Sequence, residues 1–354
     1  MQPFYLFYSY HKKKYINPNF YIMKKILITL LFVTGILQIS CNSDAITNNP
    51  STINPVDVYV AGSKDAKACY WKNGQVVLLD SGEFTESDVI KVIVSNGDVY
   101  AFGTGSINNS LTTVSYLFWK NGVVTNLKTS FSTNSQIVSS ICDMEVIGND
   151  VYFVGFMKPA FLTVELYDLV YWKNGIKTVI NSNLNGSGAT QIAVQNNDVY
   201  VTLSPTFNIS LSGYYKNDVF YGNPDLRFDG LAAINNQVVV YGSNGFNPFY
   251  KNTVTNATTM VPFVNETTII NMVFDNNNLY YSNQSQVIKN GVLFNQSQLP
   301  NVISDFKIVN DNLYKIDSAV YGNPNDIQTV VVNNTIVLTR TSGEFFESLF
   351  VVQN

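Results

Sequence analysis

Residues 70–74 read YWKNG, and the stretch returns as FWKNG at 118–122, YWKNG at 171–175, YYKND at 214–218, FYKNT at 249–253 and VIKNG at 287–291. A seventh, degenerate copy is VVVNN at 330–334. A second motif alternates with it: VDVYVAG from 56, GDVYAFG from 97, NDVYFVG from 149, NDVYVTL from 197, NQVVVYG from 236, NNLYYSN from 277 and DNLYKID from 311. Lys72, Lys120, Lys173, Lys216, Lys251, Lys289 and Val332 of the first series are spaced by 48, 53, 43, 35, 38 and 43 residues.

Asn-Gly between two apolar runs is a hairpin signal, because a type I′ turn needs positive φ at both central residues and these two residue types tolerate it. Each unit therefore reads as four short strands, a to d. Strand a is the apolar stretch before the NND-type turn, such as 91–94 or 191–194, and strand b is the DVYVxG run. Strand c carries the YW pair, and strand d follows the KNG turn, as at 76–79. The strands are often apolar on both parities, so both faces of each small sheet must be covered. Seven such units of about 40 to 50 residues predict an all-β, seven-bladed β-propeller over 56–354. A β-solenoid would have shorter, more regular repeats, and a string of β-sandwiches would need about 100 residues per unit.

The ends of the repeat predict how the ring closes. The domain begins directly in a strand b, so blade 1 lacks its own strand a. The C-terminal TSGEFFESLFVVQN (341–354) matches DSGEFTESDVIKVIVSN (80–96), a passage from strand d to strand a. Residues 349–352 are thus expected to pair with 57–61.

All 25 acidic residues follow position 40, whereas five of the 21 Lys+Arg precede it. Residues 41–354 carry a net charge of −9, which argues against a basic nucleic-acid surface. The only histidine is His11, ahead of the repeats, so histidine triads and His-ligated metals are not expected in the propeller. Asp57, Asp98, Asp150 and Asp198 suggest a ring of Ca²⁺ ligands, but Gln237, Asn278 and Asn312 replace the acid later, and turn hydrogen bonding accounts better for the series. No metal or cofactor is expected. Trp71, Trp119 and Trp172 hold a fixed place in strand c, which favours packing between blades over sugar stacking. Cys69 and Cys142 fall a whole blade apart, too far for a disulfide, and read as buried free thiols.

In an antiparallel blade the a–b and c–d turns lie on one face of the disc, and the b–c and d–a connections on the other. The first two are tight throughout, so the insertions and any loop-borne function fall on the second face. Candidate binding residues there are Glu83, Glu86, Phe131, Lys158, Phe161, Phe207, Asp225, Arg227 and Phe246.

Residues 1–22 show no periodic pattern and read as an upstream extension, with Met23 as the start. Lys24 and Lys25 precede a twelve-residue apolar run, 26–37, shorter than the roughly 20 residues that cross a bilayer. Residues 23–40 are therefore expected to be an export signal. With Ser40 and Cys41 the segment resembles a bacterial lipoprotein signal, which implies diacylation of Cys41, and 41–55 reads as a flexible polar tether. From Met23 onward the chain resembles the repeat-propeller lipoproteins of Bacteroidetes, on this signal and on the YWKNG and NDVY repeats. That resemblance implies a propeller anchored to the outer membrane of the cell envelope, with the side it faces left open. The expected function is a monomeric, non-catalytic binding or scaffold module for a protein or glycan. The alternative is a secreted polysaccharide hydrolase or lyase using carboxylates on the same face.

Overall fold

In the c–d turns Asn73, Asn121, Asn174 and Asn290 all have φ of 50°, and the glycines that follow have φ of 80–84°. These two-residue turns fix the register of strands c and d. The computed structural model describes residues 56–107, 114–161, 166–205, 212–223, 225–234, 237–245, 247–261, 269–297, 301–319 and 327–353. The extension, the export signal, Cys41 and the tether lie outside the described residues, as do Phe207 and Phe246.

The strands form seven four-stranded antiparallel blades, and blade 4 has its strand a in two pieces, Gly188–Ala189 and Ile192–Gln195. The a strands of the others are Glu344–Gln353 (blade 1), Glu86–Ser95 (2), Gln136–Ile147 (3), Arg227–Ile234 (5), Asn271–Asp275 (6) and Asn301–Val309 (7). Each a strand touches that of the next blade, and together they line one central channel. The expected closure forms: Asp57 pairs with Val352 and Ala61 with Ser348, and past a bulge the pairing runs on to Lys64 and Glu344.

The hydrophobic core is divided among the seams. A separate buried cluster fills each of the seven blade-to-blade interfaces. The tryptophans serve these seams: Trp71 meets Phe346 edge-on at 4.8 Å, Trp172 stacks on Phe131 at 4.7 Å, and Trp119 Nε1 donates to the Asp80 carbonyl of blade 1 at 2.6 Å.

The two sequence motifs meet as one clasp. Asn73, Asn121, Asn174 and Asn217 donate through Nδ2 to Asp57, Asp98, Asp150 and Asp198 at 2.5–2.8 Å. Their Oδ1 atoms accept the next backbone N–H of strand b at 2.8–2.9 Å. The lysine before each Asn pairs with the same carboxylate at 2.8–3.0 Å and lies over the tyrosine ring of the motif at 5.2–5.4 Å. Gln237, Asn278 and Asn312 accept equivalent bonds from Asn252, Asn290 and Asn333, because an amide oxygen serves here as well as a carboxylate.

Several sequence expectations are corrected. FYKNT in blade 5 does not make the two-residue turn, since Thr253 is β-branched and resists positive φ. The chain detours through 253–257, Asn252 N–H bonds the Ala257 carbonyl, and pairing slips so that Asn252 faces Val239 where Lys72 faces Tyr59. The a strands also run longer than their apolar patterns, reaching twelve residues in blade 3. A bulge interrupts them in blades 1, 2, 3, 5 and 7, which breaks the alternation that marks a strand in sequence. The glycine ending the second motif belongs to this bulge. A Cβ on Gly62, Gly103, Gly155 or Gly242 would overlap a strand-a carbonyl, that of Phe345, Asp88, Ser140 or Arg227. Strand b of blade 2 runs on to Ser106 and strand d of blade 3 to Asn185, and a short helix, α1 (Leu127–Phe131), capped by Asn126, follows strand d of blade 2.

Removing 343–354 should leave one edge of strand b of blade 1 unpaired, giving a large loss of melting temperature or aggregation by light scattering; unchanged melting would refute the closure.

Candidate functional site: loop face and central channel

Seven residues before the Asp, Gln or Asn of the second motif stand Lys91, Asp143, Gln191, Gly230, Asn271 and Asp305, and Ser348 takes the matching register in blade 1. Six of the seven are polar, and each ties its blade to the next. Lys91 pairs with Asp143 at 2.9 Å, Asp143 Oδ2 accepts from Ile192 N at 3.1 Å, and Gln191 Oε1 accepts from Leu231 N at 3.0 Å. Gly230 has no side chain, and Tyr241 fills the gap, its hydroxyl donating to the Ile270 carbonyl at 3.4 Å. Asn271 Nδ2 donates to Asp305 at 2.7 Å, Asp305 Oδ2 accepts from Leu349 N at 2.8 Å, and Ser348 Oγ donates to the Ile90 carbonyl at 2.8 Å.

Around this ring the channel holds a cavity of about 470 Å³ lined by Lys91, Asp143, Glu145, Asp305, Lys307 and Glu347 among others. Burial lifts the Glu145 carboxyl to about 6, with Lys91 pulling it the other way. Glu347 sits in the blade 1 bulge. Burial, and then the Asp88 carboxylate of blade 2, push it up to about 7, and the two groups share a hydrogen bond. Asp88 also borders a shallow recess of about 310 Å³ with Ser63, Glu86 and Thr104 on the loop face.

The sequence-predicted residues do not converge. Glu83 is exposed between blades 1 and 2, and Glu86 opens strand a of blade 2, opposite Ser106. Lys158 pairs with Ile137 near the upper end of blade 3, and Phe161 beyond it is 86% exposed. Phe131 is partly buried against the core instead of standing free on the loop face: it ends α1, stacks on Trp172 and packs against Phe153. Asp225 and Arg227 are exposed at blade 5, where Arg227 Nε pairs with Asp229 at 2.6 Å. Arg227 does not line the channel cavity. Cys69 and Cys142 are free thiols, pushed up to about 12 and about 11 by burial, although Cys142 keeps partial exposure and is not the buried group expected. The channel charges escaped the sequence reading; aligning the repeats on the second motif and stepping back seven positions brings their ring into view.

These features define a seven-bladed β-propeller with a polar, ion-paired channel. No protein-family model matches the chain, and no curated protein does. Similar solved structures include one from a structural and mechanistic analysis of two prolyl endopeptidases (12% identity, 85% of this chain and 50% of that one, TM-score 0.48). Another is the extracellular domain of a one-component system protein of B. thetaiotaomicron (12%, 73% and 37%, TM-score 0.43). A third is a protein of unknown function from Bacteroides caccae (10%, 85% and 100%, TM-score 0.43). The chain spans half or less of the first two, and at these TM-scores the likenesses bear on nothing beyond the strand pairing already described. No helix among the described residues is long and apolar enough to cross a membrane.

The raised carboxyls give a pH dependence with a definite sign. From about 4.5 upward the folded protein holds protons that the unfolded chain has released, at Glu145 until about 6 and at Glu347 until about 7, so stability falls as pH rises through that window. No histidine follows His11 to mask the effect. Melting temperature should be higher at pH 5 than at pH 7.5, and the paired change Glu145→Gln with Glu347→Gln should flatten the difference; an unaltered slope would contradict the assignment.

Proposed function

We propose that the protein is a membrane-anchored, non-catalytic binding module that presents its loop face to a protein or glycan partner. The observation that carries this reading is Phe161, an aromatic side chain 86% exposed on a loop-face projection of an otherwise well-packed blade. Large exposed aromatics supply contact area at low entropic cost, which suits a binding anchor. The channel acids support the same reading, because Asp143 and Asp305 are engaged in holding blades together and in ion pairs with Lys91 and Lys307. Anchoring through Cys41 rests on the signal-like sequence ahead of the repeats, with an outer-membrane location and a monomeric state as parts of the same proposal.

A second reading, hydrolysis or lysis of a polysaccharide, draws on the Asp88–Glu347 pair, since a carboxyl held near 7 keeps the proton a general acid needs. Glycan-array and pull-down binding by the full-length chain separates the two. Phe161→Ala is expected to weaken capture about tenfold or more, with smaller losses for Glu83→Ala and Arg227→Ala. Capture unaffected by all three would remove the loop face from consideration, and product release abolished by Glu347→Gln would favour the enzyme.

A further inference from the structure

We infer that the tight-turn face, opposite the loop face, is a membrane-seating surface whose rim rests on the lipid bilayer. The inference deepens the anchoring proposal and rests on it for the position of the acyl group. Three observations point to this surface.

The chain enters the propeller there. Val56 starts strand b of blade 1 (Val56–Lys64) and pairs with Gln353 at the end of its strand a, which puts it at the tight-turn end of the blade. Fifteen residue steps separate Cys41 from Val56. A segment of that length spans about 50 Å at full extension and about 21 Å root-mean-square as a coil. Reaching the loop face from Val56 means passing two more strands outward and then the height of a blade, about 10 Å plus about 30 Å, before turning back over the disc. The segment from Cys41 thus joins the propeller at its tight-turn end, and the loop face comes within reach only near full extension.

That face also carries apolar side chains at repeated positions. Val123, Ile176, Val219 and Val292 directly follow the c–d turns of blades 2, 3, 4 and 6, and Val254 lies in the longer turn of blade 5. Each is more than half exposed. Beside Val56, at the seam of blades 7 and 1, an apolar recess of about 330 Å³ is lined by Val58, Val332 and Leu338 near the Asn73–Gly74 turn. Singly exposed valines need no explanation, but a ring of them on one rim does.

The charge on this face is matched to approach. The propeller is acidic overall, which would repel anionic headgroups, yet here Asp57, Asp98, Asp150 and Asp198 are each paired with a lysine, and Lys289 pairs with Asp311. The surface thus presents apolar tips around paired charges, with Asp218 exposed beside Val219 in the blade 4 turn.

The test uses the full-length chain on phosphatidylethanolamine–phosphatidylglycerol vesicles containing brominated lipid. Tryptophans introduced by Val123→Trp and Val292→Trp should lose a third or more of their added emission, and one introduced by Phe161→Trp should lose none. Equal quenching on both faces, or quenching at Phe161→Trp alone, would overturn the orientation. A separate arm removes the anchor with Cys41→Ser and measures flotation. Residual vesicle binding should fall about tenfold when Val123→Asp, Ile176→Asp and Val292→Asp are combined; binding indifferent to the triple change, or absent from the start, would overturn the seating surface. Mass analysis of the Cys41 peptide reports acylation by itself, so loss of the anchor and loss of the rim are read independently.

Discussion

A hydrogen bond or ion pair from one blade to the next, made by the inner strand in six blades and by Tyr241 of strand b in the fifth, is the constraint on which the rest of the molecule depends. Blades pack only against neighbours, and apolar packing at the seams is strong but undirected. The ring supplies direction. Asp305 receives the Phe306 N–H of its own strand and the Leu349 N–H of the closing strand, so one buried carboxylate ties blade 7 to blade 1. Leaving such donors unmet costs about 1–3 kcal/mol each, enough to discriminate one ring geometry from its neighbours.

The bulge and the ring are linked. Inserting an extra residue in strand a turns the following side chain toward the channel, which is how Lys91, Asp143 and Asp305 come to face it from otherwise apolar strands. A strand-a carbonyl two residues before the extra one presses on strand b, and four glycines there accommodate it. Where the repeat carries Leu203 in place of that glycine, strand a is split into two pieces.

The fold was legible because Asn and Gly are required where φ is positive and because the Asp-to-Asn clasp needs both motifs at once. Closure was legible for a related reason: the C-terminal stretch repeats the composition of a d-to-a passage. Blade 5 misled because FYKNT keeps the letters of the motif without the residue that makes the turn. Phe131 misled because a loop aromatic and a core aromatic are indistinguishable until a neighbour such as Trp172 is seen. The channel charges stayed hidden since each, inside its own strand, breaks the alternation and reads as noise. Glu83 and Phe161 lie outside the strands and Arg227 opens strand a of blade 5, but nothing in a sequence measures distance between blades, and the fold leaves the three at separate points of the ring.

Closure has a consequence in time. Val56 and Gln353 are paired neighbours in the sheet yet lie at opposite ends of the propeller sequence. During synthesis the first blade waits, with one edge open, until the closing strand Glu344–Gln353 has left the ribosome. Contacts this distant in sequence form late and slowly. Six blades can assemble on the growing chain while the circle stays incomplete, so such a polypeptide remains pliable for most of its production and becomes a closed body only once its final strand arrives.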